Sequence, residues 1–178
     1  MHKILLQIAR VGIKTEPAAQ PDEALRQAAA RMSEEMLQLL GRALAIRHVD
    51  AGSCNACELE IHAANNPYYN LEGLGIKFVA SPRHADMLLV TGPVSRNMEE
   101  ALRRTYDATP EPKLVVAVGD CGCTGGIFGE SYASRGRVSN VIPVDVAVPG
   151  CPPRPIQILC GILTALERSS RSSAGAPP

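Results

Sequence analysis

Three short apolar runs in this chain each end a few residues before a cysteine. Residues 43–49 lead through Asp50-Ala51-Gly52-Ser53 to the pair Cys54 and Cys57. Residues 114–118 lead through Gly119-Asp120 to Cys121, and residues 141–148 lead through Pro149-Gly150 to Cys151. A Cys-x-x-Cys pair and two distant single cysteines can meet only if the fold brings three loops together. A parallel α/β sheet does this, because its ligand-binding loops leave the carboxyl edge of the strands.

The rest of the chain fits that requirement. Residues 76–80 and 87–91 read as short buried strands on either side of the turn Ser81-Pro82-Arg83. Residues 54–64 read as a helix that starts at the cysteines, and helices are expected over 95–107 and 153–167. The run 114–118 is the most continuous β-branched stretch, hence a central strand. Pro143 makes the start of 141–148 an edge or entry segment. Alternating strands and helices imply a doubly wound, mostly parallel α/β sheet with right-handed crossovers.

Residues 1–43 differ in character. Ile4, Leu5, Ile8 and Val11 recur at helical spacing, with Lys3, Gln7 and Arg10 elsewhere on the turn. A second helix is expected over 22–40, opened by Asp22 and closed by Gly41. These helices either cap their own domain or, for residues 1–11, dock on a partner subunit or a membrane surface. Residues 169–178 are rich in Ser, Ala and Pro and are expected to form a disordered tail. The expected organisation is a helical extension over 1–43, an α/β domain over 44–168 and the tail.

Composition excludes several classes of function. Eighteen basic residues balance eighteen acidic ones, and aromatics are 3% with no Trp, so nothing favours nucleic acid. No apolar run approaches the roughly 18 residues of a membrane span. The N-terminus lacks a signal-peptide pattern, so the expected location is the cytoplasm, where thiols stay reduced. Six cysteines there read as metal ligands, redox groups or buried apolar side chains before they read as disulfides.

A 4Fe–4S cluster takes four thiolates held among backbone N–H donors, and the glycines around Cys54, Cys57, Cys121 and Cys151 suit that role. A structural zinc site in an interaction domain is the alternative, using Cys54, Cys57, Cys121 and Cys123. A thioredoxin-like dithiol at Cys54 and Cys57 leaves Cys121 and Cys151 without a role. Haem attachment fails because Glu58 stands where His is needed. Gly122-Cys123-Thr124-Gly125-Gly126 lacks the Gly-Lys-Ser/Thr of a phosphate-binding loop. Cys160, mid-helix among Ile156, Leu159 and Ile162, reads as a buried apolar residue.

Three stretches carry a family resemblance: Asp50 to Ile61, Gly119 to Phe128 with its Asp120-Cys121-Gly122-Cys123 core, and Val144 to Pro155 around Pro149-Gly150-Cys151-Pro152. Together with Ala80 to Leu89, they resemble the small subunit of membrane-bound, energy-converting nickel–iron hydrogenases of the formate hydrogenlyase and hydrogenase-4 type. That family is homologous to the 20-kDa (B) subunit of respiratory complex I. The resemblance implies a flavodoxin-like domain with one 4Fe–4S cluster on Cys54, Cys57, Cys121 and Cys151, beside the active site of a large partner subunit.

The same resemblance implies a ferredoxin-like partner, membrane-arm subunits and a peripheral position on the inner face of the cytoplasmic membrane. The chain would carry electrons while its partner interconverts protons and hydrogen, so it would not be catalytic alone. The alternative within the resemblance is the equivalent subunit of a complex-I-like or nickel-free relative. Complex I members have adjacent cysteines at the first site; here Asn55 and Ala56 separate them, which favours the hydrogenase side. Ala56 stands where Gly is frequent, and Cys123 is not a usual family cysteine. Glu58, Glu60 and His62 are candidates for proton movement or partner contact, and Asp120 and Arg154 for tuning the site or capping turns.

Overall fold

Five parallel strands form one sheet in the order β2-β1-β3-β4-β5 in the computed structural model, which describes residues 2–12, 23, 27, 30, 31 and 42–174. The elements are α1 (His2–Val11), β1 (Leu44–Asp50), α2 (Ala56–Ala64), β2 (Ile76–Phe78), β3 (Met87–Thr91), α3 (Arg96–Ala108), β4 (Leu114–Val118), α4 (Gly119–Thr124), β5 (Val146–Val148) and α5 (Pro155–Ala174). This strand order is that of a flavodoxin-like doubly wound sheet, as the family resemblance implies. The second expected helix, over 22–40, lies outside the described residues except for 23, 27, 30 and 31, which are helical.

Both faces of the sheet are covered, which is why its strands read as continuous apolar runs. On one face Leu44, Ile46, Met87, Leu89, Val116 and Val118 pack against Ile61 and Ala64 of α2 and Ile158, Leu159, Ile162 and Leu163 of α5. On the other, Val49, Leu88, Val90, Val115 and Ala117 pack against Leu102 of α3 and against Val138 and Ile142. Ser95 starts α3 by accepting a hydrogen bond on its hydroxyl from the Met98 N–H at 3.3 Å, a favoured N-cap arrangement.

Register then fixes where the loops emerge. Asp50 pairs with Thr91, Thr91 with Val118, and Val118 with Val148. Four strands therefore end on one level of the same edge, and the cysteine loops leave from that line.

Several expectations change. The run 114–118 is an interior strand, but β3 is the middle one. Of 141–148 only Val146–Val148 pairs as a strand. Pro143 has no N–H to give a ladder. The missing rung is made by Asp145, whose carboxylate accepts from the Val115 N–H at 2.7 Å while its own N–H donates to the Val115 carbonyl at 2.9 Å. α5 runs on to Ala174, past the expected start of the tail at Ser169, since no Gly or Pro lies between Gly161 and Gly175. Cys160 is exposed on the outer side of α5, not buried, because Ile158, Leu159 and Ile162 take the inward face.

Candidate metal centre

The first cysteine loop is shaped by Asp50, the last residue of β1. Its carboxylate accepts from the Gly52 and Ser53 N–H groups, both at 2.8 Å, and the Ser53 hydroxyl accepts from the Asn55 N–H at 3.1 Å. Partial burial works against the Asp50 charge, but those backbone donors outweigh it and hold the carboxyl below its ordinary value. Asn55 sits at φ 73°, so the chain reverses hand between the two cysteines. This corrects the expected helix over 54–64: α2 starts at Ala56, Cys54 precedes it in the loop, and only Cys57 lies in the first turn.

The second and third loops are clasped to each other. The Asp120 N–H donates to the Gly150 carbonyl at 2.8 Å, and the Asp120 carboxylate accepts from the Gly150 N–H at 2.8 Å. Asp120 is therefore a cross-link between the Cys121 and Cys151 loops. Asp120→Ala removes the carboxylate half of this clasp, with an expected loss of about 1–3 kcal/mol. Denaturant unfolding of the metal-free chain measures that loss. Arg154 is exposed, and its N–H donates to the Gln157 carboxamide oxygen at 2.8 Å at the entry to α5.

These clasps bring the thiols to one place. Cys54, Cys121 and Cys151 line a surface cavity of about 520 Å³ with Asp120, Thr124, Gly126, Ile127 and Phe128. All four of Cys54, Cys57, Cys121 and Cys151 line a recess of about 20 Å³ next to it. Room for the sulfurs depends on absent side chains. A Cβ on Gly119 would stand 2.5 Å from Cys57 Sγ, and one on Gly126 would stand 2.8 Å from Cys121 Sγ. The four thiols, with backbone pressed close behind them, fit a cluster ligated by sulfur.

Cys123 goes elsewhere. It lines a different cavity, of about 440 Å³, with Ser139, Asp145 and Arg168, and its thiol donates to the Ala117 carbonyl at 3.6 Å. The zinc set of Cys54, Cys57, Cys121 and Cys123 is therefore not brought together. Among the described residues no group of three or more His, Cys, Asp or Glu side chains is drawn in tightly enough for a single ion. A mononuclear zinc site needs four donors about 2–2.3 Å from one point.

The thiols feel their surroundings. Burial, then the charges of Glu58 and of the three other thiols, push Cys57 up to about 12. Burial, then Cys151 and Cys54, raise Cys121, and burial and Asp120 push Cys123 up to about 11. A thiol raised in the folded state disfavours the thiolate there. The stability it gives the metal-free chain is complete below the ordinary thiol value and is lost as pH rises toward 12. Metal-free protein should therefore unfold at lower denaturant as pH is raised from 9 to 11, and Cys57 should alkylate more slowly than exposed Cys54 and Cys151. A bound cationic metal reverses this by holding the thiolates deprotonated.

Of the candidates Glu58, Glu60 and His62 only the first is buried, and sequence reasoning missed its neighbour His48. Glu58 turns inward at 7% exposure, 3.7 Å from His48 Nε2, while Glu60 is half-buried and His62 exposed. His48 also meets the Thr91 hydroxyl at 3.0 Å, and burial lowers its pKa. The alternation of β1 signals His48 as an inward position.

Residues 54–165 match the family described as NADH ubiquinone oxidoreductase, 20 Kd subunit. The probable membrane-bound hydrogenase subunit mbhJ of Pyrococcus furiosus is 46% identical over 144 residues, covering 81% of this chain and 86% of that one. Formate hydrogenlyase subunit 7 of Escherichia coli is 44% identical, over 77% of this chain and 54% of its own length. Among solved structures, a chain of the membrane-bound sulfane sulfur reductase, an archaeal respiratory membrane complex, superposes with a TM-score of 0.65 at 32% identity, over 86% of this chain and 79% of that one.

Proposed function

The chain belongs to the family of the NADH ubiquinone oxidoreductase 20 Kd subunit, and from that premise we propose that it is the electron-carrying subunit of a hydrogenase-type membrane complex. Cys54, Cys57, Cys121 and Cys151 would hold one 4Fe–4S cluster. The observation that supports this reading is the meeting of four thiols, from three loops of one sheet edge, around one small recess, with three of them also lining the larger cavity beside it. A bound 4Fe–4S cluster supplies one-electron transfer there.

The chain's own residues do the positioning. Asp50 fixes the first loop, Asp120 ties the second to the third, and Gly119 and Gly126 leave space behind two sulfurs. Ile127 and Phe128, 94% and 57% exposed, border the cavity and offer an apolar surface to a large partner subunit. By analogy with the named relatives, that partner interconverts protons and hydrogen, a ferredoxin-like subunit exchanges electrons, and membrane subunits hold the assembly at the bilayer. No helix among the described residues is long and apolar enough to cross a membrane. The separated first cysteine pair supports the hydrogenase side of the family over the complex I side.

Affinity purification of the tagged chain from its native cells, without detergent removal of membranes, tests this. The expected result is co-purification of a nickel-containing large subunit and one-electron reduction by hydrogen of a diamagnetic cluster to a paramagnetic one. A chain that purifies alone with bound zinc would overturn the proposal.

A further inference from the structure

Helix α1 stands apart from the site and from the core. None of its residues is buried, and Ile4, Leu5, Leu6 and Ile8 are each 59–66% exposed. Around the helix at 100° per residue, Val11, Ile4, Ile8, Leu5 and Ala9 fall on one continuous arc, while Lys3, Gln7 and Arg10 form a narrow stripe on the other side. At 1.5 Å per residue its ten residues span about 15 Å, half a bilayer core, so such a helix lies along a surface and does not cross it.

Charge narrows the occupant of that face. The chain as a whole is balanced, with 18 basic and 18 acidic residues. Its other amphipathic surface helix, α3, carries mixed charges in pairs, Glu99 with Arg103 and Glu100 with Arg104. α1 carries Lys3 and Arg10 with no acidic residue at all. A wide apolar arc with basic side chains on the opposite face suits a surface of acyl chains beneath anionic headgroups.

We propose that α1 is a membrane-surface anchor, lying in the interface of an anionic phospholipid bilayer with Ile4, Leu5, Ile8 and Val11 inserted and Lys3 and Arg10 at the headgroups. The subunit then meets the bilayer directly, in addition to any contact through partner subunits. Nothing in this inference uses the cluster, so either can fail without the other.

Flotation of the full-length chain with vesicles tests it, using phosphatidylcholine alone and phosphatidylcholine with phosphatidylglycerol. The wild-type chain should float with the anionic vesicles, less so in high salt. Ile4→Asp with Ile8→Asp should lower that binding about tenfold or more. Lys3→Gln with Arg10→Gln should lower it about 25-fold on anionic vesicles and leave neutral ones unaffected. Because α1 buries nothing in the core, circular dichroism and thermal unfolding should be unchanged in both variants. Absence of flotation, or equal flotation of wild type and the Asp variant, overturns the anchor. So does a variant that keeps vesicle binding yet fails to assemble with its complex, since the face would then serve a protein partner.

Discussion

Cys121→Ser should abolish binding of the proposed cluster, while Cys123→Ser, two residues away, should leave it in place. Both residues ride on the short α4, and their thiols go to different places. Cys121 lines the cavity shared with Cys54 and Cys151; Cys123 lines the separate cavity with Arg168 and donates to the Ala117 carbonyl. On the proposed ligation, losing Cys121 would remove one of the four thiolates that would hold the cluster. Removing Cys123 removes one weak sulfur hydrogen bond, at an expected cost of about 1 kcal/mol or less. The readout is the visible absorbance near 400 nm and acid-labile sulfide after anaerobic reconstitution, expected at about a tenth or less of wild type for Cys121→Ser and within about 20% for Cys123→Ser. Cys54→Ser, Cys57→Ser and Cys151→Ser should behave like Cys121→Ser, and Cys160→Ser like wild type.

Gly92→Ala should destabilise the fold and disturb the first cysteine loop together. Gly92 follows β3 at φ +78°, where a side chain is strained. Its Cβ would also stand 2.5 Å from the Ser53 backbone nitrogen and 2.7 Å from Ser53 Cα. No flexible tip can yield there; the loop that leads into Cys54 must move. Strain and overpacking together should cost about 2–5 kcal/mol. Gly129→Ala separates the two terms. Gly129 is also at positive φ, +52°, but nothing lies within 4 Å of its Cβ, so only the backbone penalty of about 1–2 kcal/mol is expected. Urea unfolding measures both, and iron content after reconstitution should fall for Gly92→Ala alone.

What the sequence reveals and what it hides follow from the kind of interaction involved. The runs 87–91 and 114–118 are readable because a strand covered on both faces must be apolar throughout, and both are strands with those bounds. The convergence of the cysteine loops is readable for a similar reason: strands of one parallel sheet all end on the same edge. Side-chain substitutes for backbone bonds are not readable. Asp145 completes the β4–β5 ladder with its carboxylate, and Asp120 clasps two loops, yet each is just a charged residue near a turn in the sequence.

Composition misled at α4 and α5. Gly119 to Thr124 has the glycines of a loop but takes helical form, which is what separates Cys121 from Cys123. The Ser-rich end of α5 has the composition of a tail, yet lacks a breaker until Gly175. Hand reversal at Asn55 is a single-residue choice that no periodicity reports, and it puts Cys54 outside the helix.

The most direct measurement on the central claim is iron, sulfide and zinc content of the anaerobically purified chain, combined with mass-spectrometric mapping of alkylated cysteines. The expected result is about four irons and four sulfides per chain, no zinc, protection of Cys54, Cys57, Cys121 and Cys151, and alkylation of Cys160 and, more slowly, of Cys123. Stoichiometric zinc without sulfide, or protection of Cys123 while Cys151 reacts freely, would contradict the account.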